Sequence, residues 1–128
     1  MAKGFRQEEI KVAFPRRGEI YLVDFYPARG HEIKKIRPAL VIQNDVGNRY
    51  SPTTIVAAIT SRISDRAYPV EVVLEAPQTG LNARSTVRLD QVRTVDSGRL
   101  IKRLGSVSRA VMRRVDQGIQ VSFGLVEL

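Results

Sequence analysis

Two positions in the chain carry side chains that suit phosphate binding. At both, the neighbouring residues indicate the end of a strand, where such side chains are accessible. Arg37 stands between a polar loop and an apolar run, and Pro38 restricts it to an extended backbone. An arginine fork at a strand edge can bind two phosphate oxygens. Thr60 and Ser61 end a second apolar run, and their hydroxyls can donate to a phosphate oxygen. Each position taken alone is better explained as a solvated arginine or as an ordinary strand residue.

The other polar candidates lie in the loop before Arg37 or at the end of the strand that follows it. Glu32 is a candidate to pair with Arg37 or to act as a base, and His31 is of a type that titrates near neutrality. Gln43 and Asn44 can read base edges, but the same residues also form turns. These residues alone therefore leave the chemistry open.

Composition excludes several kinds of catalytic site. The single histidine rules out a paired-histidine acid/base site within one chain, and the absence of cysteine rules out disulfides and thiolate metal sites. Thirteen acidic residues are spread along the chain without the dense cluster that a two-metal site needs. Neither GxxxxGK[ST] nor GxGxxG occurs. We therefore predict no metal and no cofactor, and an enzyme here must rely on arginine and hydroxyl groups.

The charge balance points to an anionic partner. Lys and Arg number 21 against 13 Asp and Glu, which gives a net charge of +8. The simplest polyanion is nucleic acid, although scattered surface charge is the alternative. The segment Met1–Pro15 has no apolar signal-peptide core, and no run has the length of a membrane span. A cytoplasmic protein is predicted.

The residue pattern predicts a small curled sheet or barrel with a closing helix. Residues 1–16 are predicted to form a polar leader, and residues 17–128 a single domain. Ser108 is predicted to cap a helix that ends before Gly124. A turn-rich segment over 44–51 and a short helical turn over 97–100 are also expected. Five strands are predicted, over 19–25, 38–43, 53–60, 70–74 and 85–95.

Four segments together make the chain recognisable. It resembles the MazF/PemK family of toxin endoribonucleases over residues 17–125. The segments that carry the resemblance are RGEIYLVD at 17–24, RPALVIQND at 37–45, GNRYSPTTIVAAITS at 47–61 and LDQVRTVD at 89–96.

The resemblance implies a fold, an activity and a site. The implied fold is mainly β, an SH3-like (CcdB/PemK-like) small β-barrel with a C-terminal helix, assembled as a homodimer. The implied activity is sequence-specific, metal-independent cleavage of single-stranded mRNA, in which 2′-OH attack leaves a 2′,3′-cyclic phosphate and a 5′-OH. The family's catalytic arginine and threonine fall on Arg37 and Thr60, and its supporting loop glutamate falls on Glu32.

Recognition of RNA and of a protein partner is implied as well. Such toxins are neutralised by a small acidic antitoxin, which suits the net charge of +8. Bases must be splayed out of a single strand to be read. The candidate RNA-binding residues are His31, Lys34, Lys35, Gln43, Asn44, Ser61, Gln91 and Arg93.

Two other functions compete with this prediction. One is a non-catalytic toxin of the same fold that binds a protein target such as DNA gyrase, for which Arg37 and Thr60 would be superfluous. The other is an RNA-binding barrel without activity. Few aromatic residues are available for base stacking, since Phe and Tyr together number eight, and this disfavours the second.

Overall fold

Six antiparallel strands form one sheet in the order β4-β5-β3-β2-β1-β6. The computed structural model describes residues 14–27, 29–32, 35–64 and 68–127. The strands are β1 Glu19–Asp24, β2 Ile36–Val41, β3 Thr53–Thr60, β4 Glu71–Leu74, β5 Ser85–Asp96 and β6 Leu100–Ser106. The helices are α1 Asp45–Tyr50 and α2 Arg109–Ser122, and 3-10 turns lie at Ala76–Gln78 and Ser97–Arg99.

The central strands β2 and β3 are apolar where both of their faces are buried. Alternate side chains of a strand point to opposite faces of the sheet. Leu40, Ala57 and Ile59 face the core that also holds Val115 of helix α2. A second cluster occupies the other face: Val23, Phe25, Ala39, Val41, Val56, Ala58 and Val95. The sheet therefore presents one face to the helix, while the second face carries a smaller cluster of its own.

The two edges of the sheet curl towards each other without forming a ladder. β4 and β6 are the outer strands, and no pairing joins them in the described part of the chain. The turn after β4 nevertheless lies against β6. A Cβ added to Gly80 would lie 1.9 Å from the backbone oxygen of Leu104, and one on Gly105 would lie 2.3 Å from that of Thr79. The predicted mainly-β fold with a C-terminal helix is confirmed, but the sheet is not closed by hydrogen bonds.

One strand and one helix were not predicted from the sequence, each for a physical reason. β6 has the sequence LIKRLGS, and its charged residues and glycine are not typical of a strand, although they suit an edge of the sheet. Only the helical turn before it was predicted. The segment predicted as turn-rich contains helix α1, which has only six residues and includes Gly47. Asn44 caps this helix by accepting a hydrogen bond from the Gly47 N–H at 2.7 Å. Residues 1–13 of the predicted leader lie outside the described residues.

Helix α2 follows the prediction and adds a packing contact. Ser108 accepts a hydrogen bond from the Val111 N–H at 3.2 Å, and the helix ends at Ser122. Gly118 is buried, and a Cβ there would lie 3.3 Å from Leu89. The glycine thus lets the helix approach β5 closely, in exchange for lower intrinsic helix propensity.

We predict opposite effects on stability when each of two buried threonines is replaced by valine. The Thr54 hydroxyl donates to the Asn48 side-chain oxygen at 2.6 Å. The Thr86 hydroxyl is buried and has no hydrogen-bond partner among the described residues. We expect Thr86→Val to raise the free energy of unfolding by about 1 kcal/mol and Thr54→Val to lower it by about 1 kcal/mol. Urea denaturation measures both, and a loss of stability in Thr86→Val would show that its hydroxyl has a partner.

Candidate active site

The register of β2 and β3 brings the two predicted catalytic residues together. The pairs Ala39–Ala58 and Val41–Val56 lie opposite each other. Continuing this register by two residues places Arg37 opposite Thr60, and side chains of directly opposed residues share a face. The same line of residues continues into β5, where Thr86 pairs with Thr60. The pairing of β2 with β3 thus brings together two residues that are 23 positions apart in the sequence.

Arg37 and Thr60 line one cleft of about 210 Å³. Arg37 is half-buried at the start of β2, as the restriction from Pro38 predicts. The Thr60 hydroxyl oxygen accepts a hydrogen bond from the Arg62 N–H at 3.2 Å. A hydroxyl that accepts one bond still carries its own proton to donate. The remaining lining residues are Arg62, Ser64, Glu71 and Arg88.

Arg88 is anchored on the wall of this cleft by two carboxylates. Its Nε and Nη2 donate to the two oxygens of Asp90 at 2.9 and 2.8 Å, and its Nε lies 3.6 Å from a Glu71 oxygen. The hydrogen bond to Asp90 raises the pKa of Arg88, and the same bond lowers the pKa of Asp90. Arg88 therefore keeps its charge and a fixed orientation beside the cleft.

A second groove, of about 370 Å³, holds three of the other predicted residues. Glu32, Gln91 and Arg93 all line it. Arg93 donates to the Phe25 backbone oxygen at 2.7 Å and lies 6.0 Å from the centroid of the Phe25 ring. Ala58 lines this groove and lies two residues before Thr60 on the same strand face. The two depressions therefore adjoin along one face of the sheet.

Glu32 lies apart from the residues with which it was predicted to act. It lines the second groove but not the cleft of Arg37 and Thr60. Its side chain accepts a hydrogen bond from the Arg29 N–H at 2.7 Å, which closes a turn within its own loop. Its place beside Gln91 suits contact with substrate better than proton transfer at Arg37.

The remaining predicted RNA-binding residues are dispersed. His31, Lys35 and Ser61 are exposed and line neither depression, although Ser61 directly follows Thr60. Lys34 lies outside the described residues.

Gln43 and Asn44 follow β2 at the end opposite Arg37, roughly 20 Å away along an extended chain. The Gln43 amide donates to Asn48 and to the Thr53 backbone oxygen, so it serves the local fold. Asn44 caps helix α1, so it serves the local fold as well.

Sequence reasoning missed four residues that line the cleft. Arg62 and Ser64 follow Thr60 closely along the chain, so proximity to the hydroxyl pair was an available signal. Arg88 alternates with Val87 and Leu89, which marks the polar face of a half-buried strand. Glu71 begins a short strand, and only the pairing of β4 with β5 shows that it faces Arg88. The sequence alone does not predict that β4 pairs with β5 at these residues.

Within the described ranges, no three His, Asp or Glu side chains cluster as metal ligands would. Across the same ranges, no helix has both the length and the apolar character needed to cross a membrane.

Comparison with known proteins agrees with this architecture. Residues 16–123 match the family described as PemK-like, MazF-like toxins of type II toxin–antitoxin systems. Endoribonuclease MazF of Staphylococcus saprophyticus is 46% identical over 86% of this chain and 92% of its own length. Endoribonuclease EndoA of Bacillus subtilis is 41% identical over 88% of this chain and 97% of its own. The crystal structure of MazF from Deinococcus radiodurans superposes with a TM-score of 0.75 at 28% identity, covering 87% and 97% of the two chains. The chain belongs to the PemK-like, MazF-like toxin family.

Proposed function

We propose that this toxin is an endoribonuclease that cleaves single-stranded mRNA at a specific sequence without a metal ion. The observation that carries the proposal is the shared cleft of Arg37 and Thr60. The ribose 2′-OH attacks the adjacent phosphorus in line, and a 2′,3′-cyclic phosphate and a 5′-OH result. This chemistry requires a 2′-OH, so DNA is not a substrate.

Arg37 and Thr60 stabilise the charge that develops on the crowded phosphorus. The guanidinium fork binds two equatorial oxygens, and the Thr60 hydroxyl donates a third hydrogen bond. Arg37 also donates to the leaving 5′ oxygen. Arg37 thus acts on the phosphate through its charge and its hydrogen bonds. Arg88, which two carboxylates anchor, forms part of the wall beside Arg37 and Thr60.

The second groove reads bases next to the scissile phosphate. It adjoins the cleft through Ala58 and offers the Gln91 amide, the Glu32 carboxylate and the Arg93 guanidinium. Amide and charged groups of these kinds hydrogen-bond base edges that a single strand exposes. We infer that these three residues set the sequence preference, with His31, Lys35 and Ser61 as exposed contacts along the strand.

The partners follow from the family and the charge. The toxin acts in the cytoplasm, where mRNA is available, and it acts as a homodimer. A small acidic antitoxin neutralises it. An acidic segment that folds onto a protein with a net charge of +8 gains favourable long-range attraction, so high salt weakens the complex.

Incubation with a long single-stranded RNA in EDTA tests this function. We expect discrete cuts with 5′-OH ends, and no cut when the nucleotide before the scissile phosphate is 2′-deoxy. Double-stranded RNA of the same sequence should remain intact. An RNA that is retarded in a gel but never cut would contradict the proposal and favour a binding toxin, of which a gyrase inhibitor is one form. Loss of cleavage in EDTA, restored by added Mg²⁺, would contradict metal independence.

A further inference from the structure

The mouth of the cleft carries an arginine whose side chain has no role in the chemistry proposed so far. Arg62 lines the cleft together with Arg37 and Thr60, and it is exposed. Its backbone N–H donates to the Thr60 hydroxyl oxygen at 3.2 Å. This hydrogen bond ties residue 62 to the hydroxyl proposed to contact the scissile phosphate, so the Arg62 side chain starts close to the path of a bound RNA.

The arginines of the cleft differ in whether a carboxylate already compensates their charge. Arg88 donates to both oxygens of Asp90, at 2.9 and 2.8 Å, and a Glu71 oxygen lies 3.6 Å from its Nε. In the part of the chain that the structure describes, no carboxylate forms an ion pair with Arg62. An exposed guanidinium of this kind offers planar donors and an uncompensated charge to a phosphate.

Arg62 and the second groove lie on opposite sides of Thr60 along the chain. Ala58 lines the groove, and it lies two residues before Thr60. Arg62 lies two residues after Thr60, just beyond the end of β3. Each two-residue step spans roughly 7 Å of extended backbone. An RNA strand whose bases occupy the groove and whose scissile phosphate meets Thr60 therefore continues towards Arg62.

We propose that Arg62 binds the phosphate next to the scissile one, on the side away from the second groove. This role rests on the endoribonuclease function proposed above. The guanidinium donates charge-assisted hydrogen bonds to the non-bridging oxygens of that phosphate. Every linkage of RNA presents the same phosphate, so the contact adds affinity and fixes the position of the strand without reading sequence.

Equilibrium binding at several salt concentrations tests the contact. The probe is an RNA that carries the mapped cleavage sequence and is 2′-deoxy at the nucleotide before the scissile phosphate, so that it is not cut. We expect Arg62→Ala to raise the Kd about tenfold, as for loss of a hydrogen bond to a charged group. The slope of log Kd against log salt concentration should fall by about 0.7, the value for one phosphate contact on a single strand.

Arg113→Ala is the matched control for this measurement. Arg113 is an exposed arginine of helix α2, which packs against the face of the sheet opposite Thr60. Its loss lowers the net charge by the same amount, so a general electrostatic effect appears in both variants. We expect its Kd to stay within about two-fold of the unmodified value and its salt slope to stay unchanged, because salt screens distant surface charges.

A neutral methylphosphonate in place of a single phosphate locates the contact. Next to the scissile phosphate, on the side away from the bases whose identity determines cleavage, it should weaken binding of the unmodified protein about tenfold. Arg62→Ala should lose nothing further on that RNA, because the group that its side chain contacts is already neutral. With the methylphosphonate on the other side of the scissile phosphate, the variant should still bind about ten times more weakly than the unmodified protein.

Cleavage kinetics separate a role in binding from a role in chemistry. Arg62→Ala keeps the backbone N–H that donates to the Thr60 hydroxyl. The loss should therefore appear in the single-turnover rate at low protein concentration, and saturating protein should recover most of it. A loss that saturation does not recover would contradict a binding role.

Other outcomes also contradict the role of Arg62. An unchanged salt slope in Arg62→Ala, or a loss of affinity that Arg113→Ala shares, would mean that Arg62 contacts no phosphate. A full effect of the variant on the RNA with the methylphosphonate away from the groove would place its contact at another linkage. Should Arg62→Ala fail to fold, Arg62→Gln replaces it with the same expected slope. If the unmodified protein does not cut RNA, the proposed function fails; if it cuts RNA and the slope is unaltered, only the role of Arg62 fails.

Discussion

Replacing Arg37 with alanine should slow RNA cleavage at least about 10³-fold, the range expected when an arginine that stabilises a phosphoryl transition state is removed. That factor corresponds to about 4 kcal/mol of transition-state stabilisation. Arg37→Lys should recover only part of it, because an ammonium cannot bind two oxygens as a planar fork does. Single-turnover rates at saturating protein measure the effect on chemistry, and gel retardation measures RNA binding separately.

Arg103→Ala is the control for this prediction. Arg103 is an arginine of β6 that pairs with Glu19 at 2.8 Å and does not line the cleft. Its loss changes the net charge by the same amount, so a general electrostatic effect on RNA binding appears in both variants. Near-normal cleavage by a folded Arg37→Ala protein would remove Arg37 from the mechanism.

Replacing Gly80 with alanine should lower the free energy of unfolding by about 3 kcal/mol or more. Gly80 has a φ of +76°, and a Cβ there would lie 1.9 Å from the Leu104 backbone oxygen. A contact with backbone cannot be relieved by a side-chain rotation, so the turn after β4 must move away from β6. Urea denaturation measures the change in stability. Cleavage assays show whether moving the turn away from β6 disturbs β4 and with it Glu71.

Two further glycine variants separate the cost of the left-handed backbone from the cost of the steric clash. Gly30 has a φ of +57° and nothing within 4 Å of an added Cβ, so Gly30→Ala isolates the left-handed backbone, with an expected cost of about 1 kcal/mol. Gly105→Ala isolates the clash, because an added Cβ lies 2.3 Å from the Thr79 oxygen and φ is not positive. We expect it to resemble Gly80→Ala more than Gly30→Ala. Unaltered stability in Gly80→Ala would mean that the turn does not pack against β6.

Local chemistry in the sequence accounts for much of what could be predicted. The apolar runs of β2 and β3, the alternation of β5 and the Ser108 cap each follow from neighbouring residues. Arg37 directly precedes one predicted strand and Thr60 ends the next, so a hairpin could bring them close. Which residues face each other depends on register, and the sequence alone gives no register for these strands.

The residues that were missed depend on long-range pairing. Glu71 reaches the cleft because β4 pairs with β5 at Arg88, although β5 follows β4 only after a 3-10 turn and a loop. Gln43 and Asn44 show the converse. Their polar groups suggested base reading, but the buried Asn48 and the start of helix α1 engage them. Residue type indicated polarity correctly in these cases, while topology determined which group each residue contacts.

A crystal structure with an uncleavable RNA, 2′-deoxy at the nucleotide before the scissile phosphate, tests the central claim most directly. We expect that phosphate to lie within hydrogen-bond distance, about 2.7–3.2 Å, of both the Arg37 guanidinium and the Thr60 hydroxyl. The neighbouring base should lie in the groove lined by Gln91 and Arg93. A scissile phosphate bound in that groove, or anywhere else away from Arg37 and Thr60, would contradict the account.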